Sequence, residues 1–216
     1  MHVKKTTYFI FFIFHCLQMH SFTIMLDPSG DAQHTGRTIN NTFERGISLQ
    51  CAEQLKQKII DAFPTTRVVL TRVPGETLQP LQNASFANRL NVDLYLSLYF
   101  YKEQETSQRV TLYYYLANTT DFWHQPNRLF FYPAQQAYLP NLHITKKLGS
   151  KFFSILKNPN SVPFFQATGL FGIPFKPLNG ITAPALAIEI GLQNNTDWNY
   201  IIDPILTFIE YAKNEL

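Results

Sequence analysis

Cysteine is nearly absent from this chain of 216 residues, which has two, Cys16 and Cys51. Cys16 lies in an N-terminal apolar run and Cys51 in a stretch patterned as helix. A disulfide framework is therefore excluded, and cysteine usage does not fix the redox compartment. No electropositive neighbourhood is evident around Cys51, which reads as a small core residue rather than a nucleophile. Charge is also scarce, at 15% of residues with a net of +3. There is no basic stripe with interleaved aromatics, which argues against nucleic acid as a partner. Glycine-rich phosphate loops, nucleophile elbows and cysteine pairs are missing. His34, His124 and His143, the histidines beyond the N-terminal segment, show no metal-ligand spacing with one another. No internal repeat is visible.

Aromatics, by contrast, are plentiful, with 19 Phe and 11 Tyr. Their first use is core and strand packing. A carbohydrate-facing surface is compatible with the same composition. The length suits one domain with a large core.

Residues 1–21 read as an export signal or membrane anchor. Lys4 and Lys5 supply the charged region and residues 8–17 the apolar one. That run is shorter than the ~20 residues needed to span a bilayer. The domain then occupies residues 22–216. Its first strand is residues 22–26, ending in Asp27-Pro28-Ser29-Gly30. An apolar run that stops in Asp-Pro and small residues is how a buried central strand delivers a loop to a sheet edge. In open α/β sheets the chemistry lies beyond the carboxyl ends of the strands. Residues 27–36 are thus the first place to look for a site, with the later strand ends at Tyr99 and Glu189 converging on it.

Ile47, Cys51, Leu55 and Ile59 predict a helix over residues 43–63, with Asn41 as cap and Glu44 as its capping-box partner. A strand over 67–72, a helix over 78–91 with Leu81, Phe86 and Leu90 inward, and a central strand over 92–99 follow. Residues 109–116 alternate as an edge or antiparallel strand. Residues 117–140 read as a long loop and 141–156 as a helix. Residues 158–180 are punctuated by proline and glycine. Residues 185–190 form a buried strand, and Asp203-Pro204 caps a last helix. Strands alternating with helices predict an α/β domain whose mostly parallel central sheet has helices on both faces.

Glu189 stands among Ala185, Leu186, Ile188 and Ile190. A carboxylate there must be exposed at the strand end, paired or protonated. It serves either as a general acid/base or as an acceptor for loop amides.

The order of five segments resembles the zinc-dependent N-acetylmuramoyl-L-alanine amidases. They are residues 26–36 (LDPSGDAQHTG), 43–46 (FERG), 69–72 (VLTR), 87–88 with 92–99 (AN and VDLYLSLY), and 183–191 (APALAIEIG). The resemblance implies an amidase-like, phosphorylase/hydrolase-like fold, peptidoglycan or muropeptide as ligand, and an exported protein of the periplasm or cell envelope. The family holds Zn²⁺ with a histidine after the first strand, a glutamate opening the first helix and a histidine ending a later strand. Another glutamate acts on the zinc-bound water. Carried across, the first-helix glutamate is Glu44 and the acid/base is Glu189. Gly30 and Tyr99 stand where the histidines belong. Glycine offers no ligand, and tyrosine ligates only as a phenolate, with an ordinary pKa near ~10. A catalytic zinc needs three protein ligands. The resemblance therefore implies a degenerate zinc site without a cofactor, in a protein that binds peptidoglycan or an envelope partner. The alternatives are a remodelled zinc amidase using His34, Glu44, Tyr99 and Glu189, and a purely structural envelope domain. The membrane enters only through the N-terminal segment.

Overall fold

The computed structural model describes residues 21–77, 81–117, 133–158 and 164–216. Apart from Ser21, the expected export signal lies outside these, as does His124. In chain order come β1 (Thr23–Pro28), a small antiparallel hairpin of β2 (Thr38–Ile39) and β3 (Thr42–Phe43), α1 (Glu44–Ala62) and β4 (Arg67–Leu70). Next are α2 (Gln82–Arg89), β5 (Leu94–Lys102), β6 (Gln108–Tyr115) and α3 (Leu142–Leu156). The chain continues with β7 (Phe165–Ile173), β8 (Ala185–Leu192) and α4 (Ile202–Glu215). Among the described residues no helix is long and apolar enough to cross a membrane.

Six strands form one sheet in the order β4-β1-β5-β8-β6-β7. The first four are mutually parallel, while β6 runs antiparallel to β8 and pairs in parallel with β7. The mostly parallel α/β sheet expected from the alternation of elements is therefore present. Its central strands β1, β5 and β8 are buried on both faces because both are covered. Leu94, Leu96, Leu98 and Phe100 of β5 face one core, shared with α1, α3 and α4. Met25, Tyr95, Ala185 and Ala187 face the other, covered by Ala84 and Ala87 of α2 and by Leu178 and Ile181. On α1 the four-residue stripe Ile47, Cys51, Leu55 and Ile59 is fully buried. Burial stabilises by ~1.5–3 kcal/mol for each large apolar side chain, enough to orient the helix. Phe152 of α3 and Phe208 of α4 stack at 4.3 Å between centroids.

Several local expectations need correction. The N-cap position of α1 is Phe43, without a side-chain cap. The Glu44 and Arg45 N–H groups instead donate to the carbonyls of Arg37 and Thr35, so a folded-back loop does what Asn41 was expected to do. Among the described residues of the expected second helix, the helical ones are Gln82–Arg89. Phe86 and Leu90 pack partly buried against the second core as expected, but Leu81 is half exposed, and the most deeply buried residues are alanines, with Gly180 packed closely on Ala84. α4 begins at Ile202 after a 3-10 turn, so Asp203 lies inside it. β6 is antiparallel but not an edge. The strand beside it, β7, falls in the stretch read only as punctuated. A Cβ at Gly169 would stand 2.5 Å from the Phe171 ring, and one at Gly172 2.6 Å from that of Tyr114. Those glycines admit aromatic rings and mask the strand.

Candidate functional site

At the carboxyl ends of β1 and β5 the chain is anchored by two buried groups. The Asp27 carboxylate accepts hydrogen bonds from Thr71 Oγ1 (2.8 Å), Asn83 Nδ2 (2.8 Å) and Ser97 Oγ (2.6 Å). Burial pushes its carboxyl up, against the pull of those hydroxyls and of Arg72. Buried Arg72 donates to the carbonyls of Pro28 (3.2 Å), Ser29 (3.0 Å) and Arg45 (2.9 Å), tying the loop to the start of α1. Asp27 is thus a structural pin.

Gly30 follows with φ +73°. A Cβ here would stand 2.8 Å from Arg45 Cβ and 2.9 Å from the His34 carbonyl oxygen. Only glycine is comfortable in that conformation and space. The His34 ring turns to Asp31, with Nδ1 3.1 Å from Oδ1 and a side chain 76% exposed.

Glu44, 4% exposed, is closely held. Its Oε1 accepts from Ser29 Oγ (2.9 Å) and the Phe100 N–H (2.9 Å), and its Oε2 accepts from the Arg37 N–H (3.0 Å). Gly36, at φ +74°, lets the loop lie against that oxygen, since a Cβ would meet Oε2 at 2.8 Å.

Tyr99 pairs with Glu189 across β5 and β8, so the two residues meet as anticipated, though inside the strands, which run on to Lys102 and Leu192 rather than ending there. Burial pushes the Tyr99 phenol far above its ordinary range, and the charge of Asp27 adds to this. Its ring meets Phe175 edge-on at 5.2 Å. Glu189 is paired rather than isolated. Its Oε1 lies 2.6 Å from Arg37 Nη2, and its Oε2 accepts from the Tyr113 hydroxyl at 2.8 Å. Burial and the Glu189 carboxylate push the Tyr113 phenol up to about 12. Burial opposes the charge on Arg37, but the hydrogen bond and charge of Glu189, with Glu44 behind them, more than compensate. The guanidinium carbon lies 5.6 Å from the centroid of the Tyr101 ring.

Arg37 therefore touches both acidic residues singled out in the sequence, Glu44 through its backbone and Glu189 through its side chain. It and Tyr113 were missed. The available signal was a cation in a short loop flanked by Gly36 and Glu44. Among the described residues, no three His, Cys, Asp or Glu side chains are grouped so that they could hold a metal ion.

A family model described as N-acetylmuramoyl-L-alanine amidase matches residues 24–206. The amidase CwlM of Bacillus licheniformis is 28% identical over 76 residues, 35% of this chain and 30% of that protein. The match thus spans under a third of the curated relative's length. A crystal structure of the N-acetylmuramoyl-L-alanine amidase of Clostridium difficile 630 superposes with a TM-score of 0.67 at 18% identity, covering 90% of this chain and 97% of that one. The amidase AmiC2 of Nostoc punctiforme gives 0.62 at 12% identity, covering 89% and 98%. At these identities the structural likeness speaks for the fold.

Proposed function

The chain belongs to the N-acetylmuramoyl-L-alanine amidase family, and from that premise we propose that its zinc site is degenerate and that it binds peptidoglycan or muropeptide at the cell envelope without cleaving it. The observation that carries this reading is the Arg37–Glu189 pair at 2.6 Å. A guanidinium already neutralises the carboxylate that, in the family pattern, works on zinc-bound water. Tyr113 donates to its other oxygen, so both carboxylate oxygens are already engaged by protein groups.

The proposed ligand positions agree with this reading and do not fit a zinc ion. A catalytic zinc needs three protein ligands and an open position. Glu44 spends its oxygens on three protein donors. Gly30 has neither a ligand atom nor room for one. Burial disfavours the Tyr99 phenolate that a metal would need, and His34 is engaged by Asp31. Without a Lewis acid, water keeps its high pKa and the scissile carbonyl is not polarised.

Binding needs less. The Arg37 side chain is 48% exposed, and its fork has N–H groups beyond the one that Glu189 uses. Phe171, 48% exposed, extends an aromatic ledge, with its ring 6.2 Å from that of Tyr113. Export through residues 1–21 and an envelope protein partner belong to the same proposal.

Titration of the full chain with a disaccharide-tetrapeptide muropeptide tests it. Saturable binding, weakened by Arg37→Ala, with no release of free stem peptide is expected. Peptide release that a chelator abolishes would overturn the reading in favour of a remodelled amidase.

A further inference from the structure

A pocket of about 410 Å³ lies where β6 and β7 begin and β8 ends. Thr106, Ser107 and Gln108 line it from the approach to β6, Phe164 and Gln166 from the start of β7, and Gln193 from just beyond β8. None of its lining residues carries a charge. Phosphates and carboxylates find no cation among them, and ammonium groups find no anion. Hydroxyls and carboxamides are too polar a wall for a lipid or an apolar peptide. They suit a neutral ligand rich in O–H and N–H groups.

Gln108 adds a second, independent observation. It is 7% exposed, and its Nε2 donates to Asp197 Oδ2. The same oxygen also accepts from the N–H groups of Gln193 and Asn194. The amide cannot be flipped without facing one acceptor with another, so its orientation is determined. Its Oε1 is left buried, with no hydrogen-bond partner among the described residues. An orphaned acceptor of this kind seeks a donor. Phe164 supplies the apolar element. Its ring is 54% exposed and rests against Tyr200 at 4.3 Å between centroids.

We propose that this pocket is a saccharide subsite, with the pyranose face on Phe164 and its hydroxyl or acetamido groups on the glutamines. Gln193 lies four residues beyond Glu189, roughly 13 Å at ~3.3 Å per residue, so one glycan-peptide can span both places. The choice of an acetamido sugar as probe rests on the peptidoglycan reading. The pocket's uncharged lining and orphaned acceptor do not.

The test is calorimetric titration of the full chain with N,N′-diacetylchitobiose, which carries no peptide. Saturable binding with a Kd of roughly 0.1–5 mM is expected. Phe164→Ala and Gln166→Ala, both at exposed positions, each weaken it about tenfold. No saturation by ~20 mM, or equal affinity in Phe164→Ala, overturns the proposal. Loss of chitobiose binding with muropeptide binding intact refutes the pocket alone. The converse refutes the Arg37 site alone.

Discussion

Replacing Arg37 with methionine keeps an apolar stem against Tyr101 but removes the only cation on Glu189 among the described residues. Two unit charges ~4 Å apart interact by about 4 kcal/mol at an effective dielectric of ~20. Solvent reaches both side chains, at 48% and 21% exposure. Screening and the ordering of a long side chain therefore take back most of that energy. A net loss of about 1–2 kcal/mol is expected, which lowers Tm by about 2–8 °C in a chain of this length. The assay is a double-mutant cycle in urea with Glu189→Gln, which still accepts from Tyr113. The coupling should be about 1 kcal/mol and should shrink in ~1 M salt, where the Debye length is ~3 Å. A coupling within about 0.3 kcal/mol of zero, or one that grows with salt, would refute the claim that Arg37 serves as the counter-ion of Glu189.

Three further outcomes follow from the same geometry. Gly30→Ala should destabilise by about 2–4 kcal/mol, because it combines a positive φ with contacts under 3 Å; thermal melts followed by circular dichroism check this. Glu44→Gln should cost about 1–3 kcal/mol, since it turns an N–H2 group toward a donor; a carboxylate held in reserve for a metal would instead tolerate or welcome the change, and urea denaturation distinguishes them. The third outcome concerns pH. Burial pushes the Glu103 carboxyl up, but hydrogen bonds from Arg109, Tyr101 and two backbone N–H groups outweigh it and hold the pKa at about 2. A depressed carboxylate pKa stabilises the fold at pH above the unfolded value and loses that contribution as pH falls toward about 2. With Arg109 41% exposed, the loss should be about 1–2 kcal/mol between pH ~4.5 and ~2, and Arg109→Met should flatten that part of the stability profile.

Much of this arrangement was legible in the residues. The strands at 22–26, 92–99 and 185–190 are apolar on both faces, which only a covered parallel sheet requires. The stripes of α1, α3 and α4 have the helical period. Tyr99 and Glu189 could be brought together because sheet topology gathers neighbouring strands, whereas Gly30 and Glu44 were singled out as ligand positions only through the family resemblance. Local rules failed where distant groups intervened. The cap of α1 comes from the carbonyls of Thr35 and Arg37, so the Asn41–Glu44 pattern, though correctly spaced, was not used. The glycines of β7 lower its strand propensity, and their reason is visible only once the rings of Phe171 and Tyr114 are in place. Arg37 was overlooked because its partner is 152 residues away in sequence and meets it only after the loop crosses the end of the sheet.

Zinc binding by the full chain tests the central claim most directly. The protein is purified without chelator, its metal content is measured, and it is then titrated with Zn²⁺ in a calorimeter. The account predicts far less than one zinc per chain at micromolar metal, with no change in Glu44→Ala. Tight stoichiometric zinc that disappears in Glu44→Ala would contradict it and make Glu44 a working ligand.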